Sequence, residues 1–91
     1  MAGSCSKDFE YYNITIANRY FETLINATIG DIHIDTIMVN ETTPAIILHQ
    51  GEYIFASETA SGLMLSAVIN IRGDSKNIVL IVNEHGKLLA E

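Results

Sequence analysis

The chain has 91 residues, 48% of them hydrophobic, with one proline, one cysteine and a formal charge of −6 from eleven acidic and five basic side chains. A chain of this length makes one domain, since it buries only about 60–65% of its unfolded surface, and the apolar fraction excludes a disordered polymer. The acidic balance excludes broad, non-specific nucleic-acid binding, which depends on clustered lysine and arginine displacing counterions from phosphates.

Residues 1–7, MAGSCSK, are small and polar without periodicity and are expected to fray, leaving a single domain over 8–91. Cys5 is the only cysteine, so no internal disulfide forms. In a polar tail it has no assured neighbour to lower its thiol pKa and reads as inert. The N-terminus lacks the charged and apolar regions of a secretory signal, which points to a cytoplasmic protein. Asn-x-Thr triplets at Asn13, Asn26 and Asn40 then read as ordinary polar residues, not glycan acceptors. No apolar run approaches the 18 or so residues that span a bilayer.

Tyr11–Ile16 is aromatic and β-branched, which predicts a strand, although Phe9, Tyr12, Ile16 and Tyr20 would also line a longer helix. Ala17, Tyr20, Phe21, Leu24 and Ile25 recur at helical spacing, and Gly30 stands where a left-handed residue would stop a helix. The spacing predicts a first helix there. From Asp31 to Val39 the residues alternate as in a half-buried strand, Asn40–Pro44 forms a turn, and Ala45–Leu48 pairs with Tyr53–Ala56 in a hairpin.

Residues 57–72 match two templates. Ala60, Leu63, Met64, Ala67, Val68 and Ile71 follow a helix, whereas Leu63, Leu65, Ala67, Ile69 and Ile71 alternate as a strand. Ser57 or Thr59 as a cap, Glu58 in the first turn and Gly73 as terminator favour a second helix. Residues 78–82 and 88–90, joined around Glu84–Lys87, predict a closing hairpin. The expected fold is therefore α+β: a two-layer sandwich of an antiparallel sheet and two helices.

No constellation of residues points to chemistry. His33 and Asp35 share a strand face that Glu84 and His85 could approach, but zinc-type paired spacing is absent and a solvated polar face is the better reading. His49, beside Gln50 and Glu52, reads as a loop histidine. No nucleophile elbow or phosphate-cradling glycine loop occurs, so neither enzymatic activity nor a cofactor is expected. Tyr11, Tyr12, Tyr20, Tyr53, Phe21 and Phe55 lack interleaved basic groups and read as core residues before base-stacking platforms. Arg72-Gly73-Asp74 matches an adhesion tripeptide, but Gly73 and Asp74-Ser75 are turn formers, and the turn reading is preferred. Lys7, Arg19, Arg72, Lys76 and Lys87 would have to converge to make a local RNA site. The surface signal lies in the expected second helix, where Leu65 and Ile69 lie off the main stripe that carries Val68 and widen the apolar face beyond what one small sheet covers. It implies a protein partner, in the first place a second copy.

Two family resemblances accompany this reading. A helix, a hairpin ending in GEYIFAS, a helix from ETASGLML and the closing IVLIVNEHGKLLAE resemble the layout of roadblock-type dynein light-chain modules. That resemblance implies an α/β module paired into a dimer through helices and edge strands, serving as a scaffold or regulating small GTPases. The chain departs from it by an extra strand near Ala45 and a weakly helical start. More locally, INIRGD followed by NIVLIV is similar to the second conserved segment of Sm-like RNA-binding proteins. This alternative implies an all-β small barrel with Arg72 and Gly73 in a uridine pocket and Asp35 and Asn40 loosely matching the first segment. Ser75-Lys76 are extra, and the glycine-centred strands of that family are missing.

Overall fold

A computed structural model describes residues 11–90; residues 1–7 and Cys5 lie outside that range. Eight strands occur in chain order: β1 Tyr11–Asn18, β2 Leu24–Ile29, β3 Ile32–Ile37, β4 Ile46–His49, β5 Gly51–Thr59, β6 Met64–Ile71, β7 Asn77–Val82 and β8 Leu88–Ala90. They form two four-stranded sheets, ordered β4-β1-β7-β8 and β3-β2-β5-β6. Every pairing is antiparallel except β1 with β7. The core lies between the sheets, where alternate residues of each strand converge. Tyr12, Ile14, Ile16, Leu80 and Val82 meet Leu24, Ile29, Ile37, Phe55, Ile69 and Ile71 there.

This architecture overturns the α+β expectation, because the described residues contain no helix. The helices implied by the roadblock-type layout are likewise not present among the described residues. Among the described residues no helix is long and apolar enough to cross a membrane.

The first expected helix is instead the end of β1, a turn, and β2. Its helical spacing is a coincidence of two strands joined by five residues: Tyr20 and Leu24 are buried, but Phe21 is 70% exposed. Asn18 sets the turn. Its Nδ2 donates to the carbonyls of Glu22 at 2.9 Å and Ile37 at 3.0 Å, and its Oδ1 accepts from the Tyr20 amide at 2.9 Å. Gly30 does adopt a positive φ of +59°, but at the first position of the two-residue β2–β3 hairpin, where a type II′ turn calls for glycine.

The second expected helix is the β5–β6 hairpin, with Gly51↔Ile71 through Glu58↔Met64 in unbroken register. Gly62, φ +98°, sits in its turn. Inside a helix it would cost about 1 kcal/mol relative to alanine. Thr59 does cap, but it caps a turn: its Oγ1 accepts from the Leu63 amide at 3.0 Å. Leu65, Ala67, Ile69 and Ile71 face inward, as the alternating template requires.

Strands in 11–16 and 45–48 and the closing β7–β8 hairpin occur as expected. The strand expected over 31–39 covers 32–37, and its alternation breaks at Asp35, φ +72°, beyond which Ile37 is buried and Met38 exposed. The expected hairpin between 45–48 and 53–56 does not, because β4 and β5 belong to different sheets. Pro44 has no amide to continue the ladder that β4 makes with β1. The Thr43 side chain fills in beside it, its Oγ1 accepting from the Ile16 amide at 3.0 Å. This attachment draws the β3–β4 segment onto β1 and carries β4 away from β5.

Candidate functional site

Each sheet has two edge strands, and three of the four are blunted. β4 has four residues and follows Pro44, and β8 has three. β3 pairs with β2 through register shifts at which Asn26 and Asp35 adopt φ of +51° and +72°. Such bulges twist an edge away from further pairing.

β6 carries no such device. Its sequence MLSAVINI runs for eight residues without charge, proline or glycine. Three hydrogen bonds fix which of its backbone groups have no partner among the described residues. The Thr59 amide donates to the Leu63 carbonyl, whereas the Ala60 amide donates to Thr23 and the Ile54 carbonyl accepts from Gly30. Odd residues of β5 therefore bond to β6 and even residues to β2. By antiparallel alternation, odd residues of β6 bond back to β5. The N–H and C=O groups of Met64, Ser66, Val68 and Asn70 thus point to the free edge.

Below this edge the sandwich is open. One cleft of about 200 Å³ lies between Leu65, Ser66 and Ala67 of β6 and Gly86, Lys87 and Leu88 of the β7–β8 hairpin. A second, of about 130 Å³, continues past Val68, Ile69 and Asn70 to Leu88 and Ala90. Both share Leu88, so together they follow the strand. Gly86 lets the hairpin come close: its φ is +77°, and a Cβ there would stand 3.2 Å from Leu65 Cδ2. On the outer face, Val68 pairs directly with Ile54, and the two are 62% and 56% exposed.

The turn at the start of β6 is held by Glu22, whose carboxylate accepts from the Ser61 amide at 2.9 Å and the Ser61 hydroxyl at 3.1 Å. The Ser61 hydroxyl and then its amide favour the charged form and lower the Glu22 pKa from its ordinary value. At the other end, the Tyr12 hydroxyl donates to the Gly73 carbonyl at 2.8 Å, and Lys76 Nζ sits 4.4 Å above the Tyr12 ring. The strand is thus anchored at both ends while its long edge is open.

The residues expected from the sequence sort accordingly. Leu65, Val68 and Ile69 do belong to one element, but that element is a strand: Ile69 is buried, Leu65 is half-buried above the cleft, and only Val68 is exposed. Ile54 and Leu88 complete the surface. The signal for Ile54 is the β5–β6 cross-strand pairing, which a helical reading of 57–72 hides, whereas Leu88 belongs to the closing hairpin that the sequence does predict.

Arg72, Gly73, Asp35 and Asn40 do not converge. β3, carrying Asp35, and β6, leading to Arg72, are opposite edges of one sheet, about 14 Å apart across three strand spacings. Asn40 donates its amide to the Asn18 carbonyl at the end of β1, whereas Gly73 is held by Tyr12 at its beginning. Arg19 and Lys87 accompany the end of β7, and Arg72 and Lys76 flank its start; Lys7 lies outside the described residues. Among the described residues no group of three His, Cys, Asp or Glu side chains could hold a metal. His49 lies edge-on to Tyr11, ring centroids 4.4 Å apart. Tyr12, Tyr20 and Phe55 are core residues, whereas Tyr11 and Phe21 are exposed. Arg72-Gly73-Asp74 occupies the exposed β6–β7 connection, with Gly73 at φ +106°.

No family model, no curated protein and no solved structure matches the chain.

Proposed function

We propose that this chain is a non-enzymatic protein-interaction module that docks an extended segment by adding it as a strand to β6. The observation that carries the reading is the eight-residue, uncharged, regularly paired edge lying over an open cleft. Strand addition draws affinity from main-chain hydrogen bonds and selectivity from pockets for alternate side chains. β6 offers both: unpaired groups at 64, 66, 68 and 70, and a cleft that accepts the inward-facing side chains of an added strand. The incoming segment is extended and alternating, with apolar residues toward Leu65 and Leu88.

The test is to pan a displayed random-peptide library against the chain and measure the selected peptides by titration and amide exchange. Peptides with alternating apolar residues should protect the amides of 64, 66, 68 and 70. Their affinity should fall at least about tenfold in Ser66→Pro, which removes a free-edge donor while leaving the β5 ladder intact. Peptides that protect only β3 or β7, or that bind Ser66→Pro unchanged, refute the reading.

A further inference from the structure

Resting on β6 as the docking edge, we infer that its occupant is a second copy of this chain, the two β6 strands running antiparallel about a twofold axis through Val68 and joining the sheets into one of eight strands. The twofold is the simplest way for one unprotected edge to satisfy itself, since an isologous contact closes and leaves no edge for further growth.

Two constraints select the register. Residues opposite one another in an antiparallel pair share a face, so their numbers must sum to an even value when outward residues are even. The hydrogen-bonded pairs must also be drawn from 64, 66, 68 and 70, the residues whose amides face the edge. Sums of 132, 134, 136 and 138 meet both conditions, and the outer face separates them.

A sum of 136 sets Val68 against the other copy's Val68. Because Ile54 pairs with Val68 within each copy, an apolar row runs Ile54, Val68, Val68, Ile54 across the junction. Ser66 then faces Asn70, a polar pair. Arg72, directly after the strand, faces Met64, whose own neighbour on β5 is Glu58. Each end of the junction therefore brings an arginine toward a glutamate of the other copy. The neighbouring registers lose this matching. A sum of 132 sets Ser66 against itself and Val68 against Met64, so that the apolar row ends on Glu58 and Arg72 falls beyond the paired segment with no glutamate opposite. A sum of 134 puts Val68 against Ser66 and lines up Glu52 and Glu58 in one row, and 138 puts Val68 against Asn70.

On the inner side, Ala67 faces the other copy's Ile69, a small residue against a large one. The two clefts open toward each other across the junction, so that Leu65 and Leu88 of both copies close over a common apolar strip.

The experiment combines sedimentation with cysteine cross-linking in a Cys5→Ser background. The chain should sediment as a monomer–dimer equilibrium across micromolar concentrations. In a hydrogen-bonded antiparallel pair the facing Cα atoms are about 5.5 Å apart, inside the disulfide range of about 4.4–6.8 Å. Val68→Cys should therefore oxidise to a covalent dimer at least about tenfold faster than Met38→Cys or Leu89→Cys, whose native side chains are 61% and 53% exposed. Because Val68 is itself 62% exposed, its replacement leaves the fold intact. Equal rates at the three positions, or fastest coupling at Met38 or Leu89, overturn the twofold at Val68. If peptides still protect the 64–70 amides in that case, the docking edge stands and only its occupant is wrong. If neither result appears, both readings fall.

Discussion

Asn18 offers the sharpest test of how the two sheets are tied together. Its side chain is fully buried and makes three hydrogen bonds to backbone: to Ile37 of the opposite sheet, to Glu22 and from Tyr20. Asn18→Leu keeps the branched shape and heavy-atom count, in a somewhat larger side chain, and deletes all three. The Ile37 and Tyr20 bonds are buried and the Glu22 bond is partly buried. Each orphaned backbone group costs about 1–3 kcal/mol when water cannot reach it, and less for the Glu22 carbonyl. The sum is about 4 kcal/mol, a large share of the ~5–15 kcal/mol that holds a domain of this size folded. At ~4–8 °C per kcal/mol, the melting temperature should fall by roughly 20 °C. Urea unfolding followed by circular dichroism measures the loss, with an unchanged slope showing that the unfolded state is not altered. Asn13→Ala is the control, because Asn13 is exposed and its side chain donates to the Asn77 side chain at 3.2 Å on the surface, so it should stay within about 0.5 kcal/mol. A loss below about 1 kcal/mol for Asn18→Leu would mean that water or a shifted turn replaces the three bonds.

Three further outcomes follow from single contacts. Thr43→Val leaves the Ile16 amide without its side-chain acceptor and should cost about 1–3 kcal/mol in chemical unfolding, with exchange of that amide accelerating; an unchanged Ile16 exchange rate argues against the substitute ladder beside Pro44. Gly86→Ala forces a side chain into φ +77° and toward Leu65, so stability should drop by about 1–2 kcal/mol, and a neutral effect would show that the β7–β8 turn does not need glycine. Glu22 has its carboxyl pKa lowered by Ser61. Its contribution is therefore present above the ordinary carboxylate range and is lost as pH falls through its folded-state value. The stability margin of the wild type over Glu22→Gln should shrink on acidification, and a margin independent of pH contradicts the Ser61 contact.

Much of the strand content was legible because alternation is a local property. In 32–35 apolar and polar residues alternate as the strand's faces do, although the break at Asp35 reverses the faces beyond it, and in 78–82 the run is apolar, short and bounded by turn formers. Residues 57–72 were not legible, because small and apolar residues there satisfy both periods. The signals that favoured a helix were real contacts put to another use: Thr59 accepts from Leu63 in a hairpin turn, and Ser57 donates to the Ile25 carbonyl on the neighbouring strand. Gly62 was the contrary local sign, costly inside a helix and well placed in a turn. The candidate site was legible only in part. Leu65, Val68 and Ile69 were singled out for surplus apolar surface, but which of them reaches solvent depends on which face β5 and the opposite sheet cover.

What the residues alone determined is the single cysteine, the acidic charge, the positions of most turns and the strands whose alternation is unambiguous. Tertiary structure decided that residues 57–72 are extended, that β4 joins β1 instead of β5, and that β6 is the edge left open. The division has a physical cause: a helix closes its hydrogen bonds within its own segment, whereas a strand completes them on others far along the chain. Which backbone groups find partners, and which are left facing outward, is therefore settled by the whole assembly of segments and by no one of them.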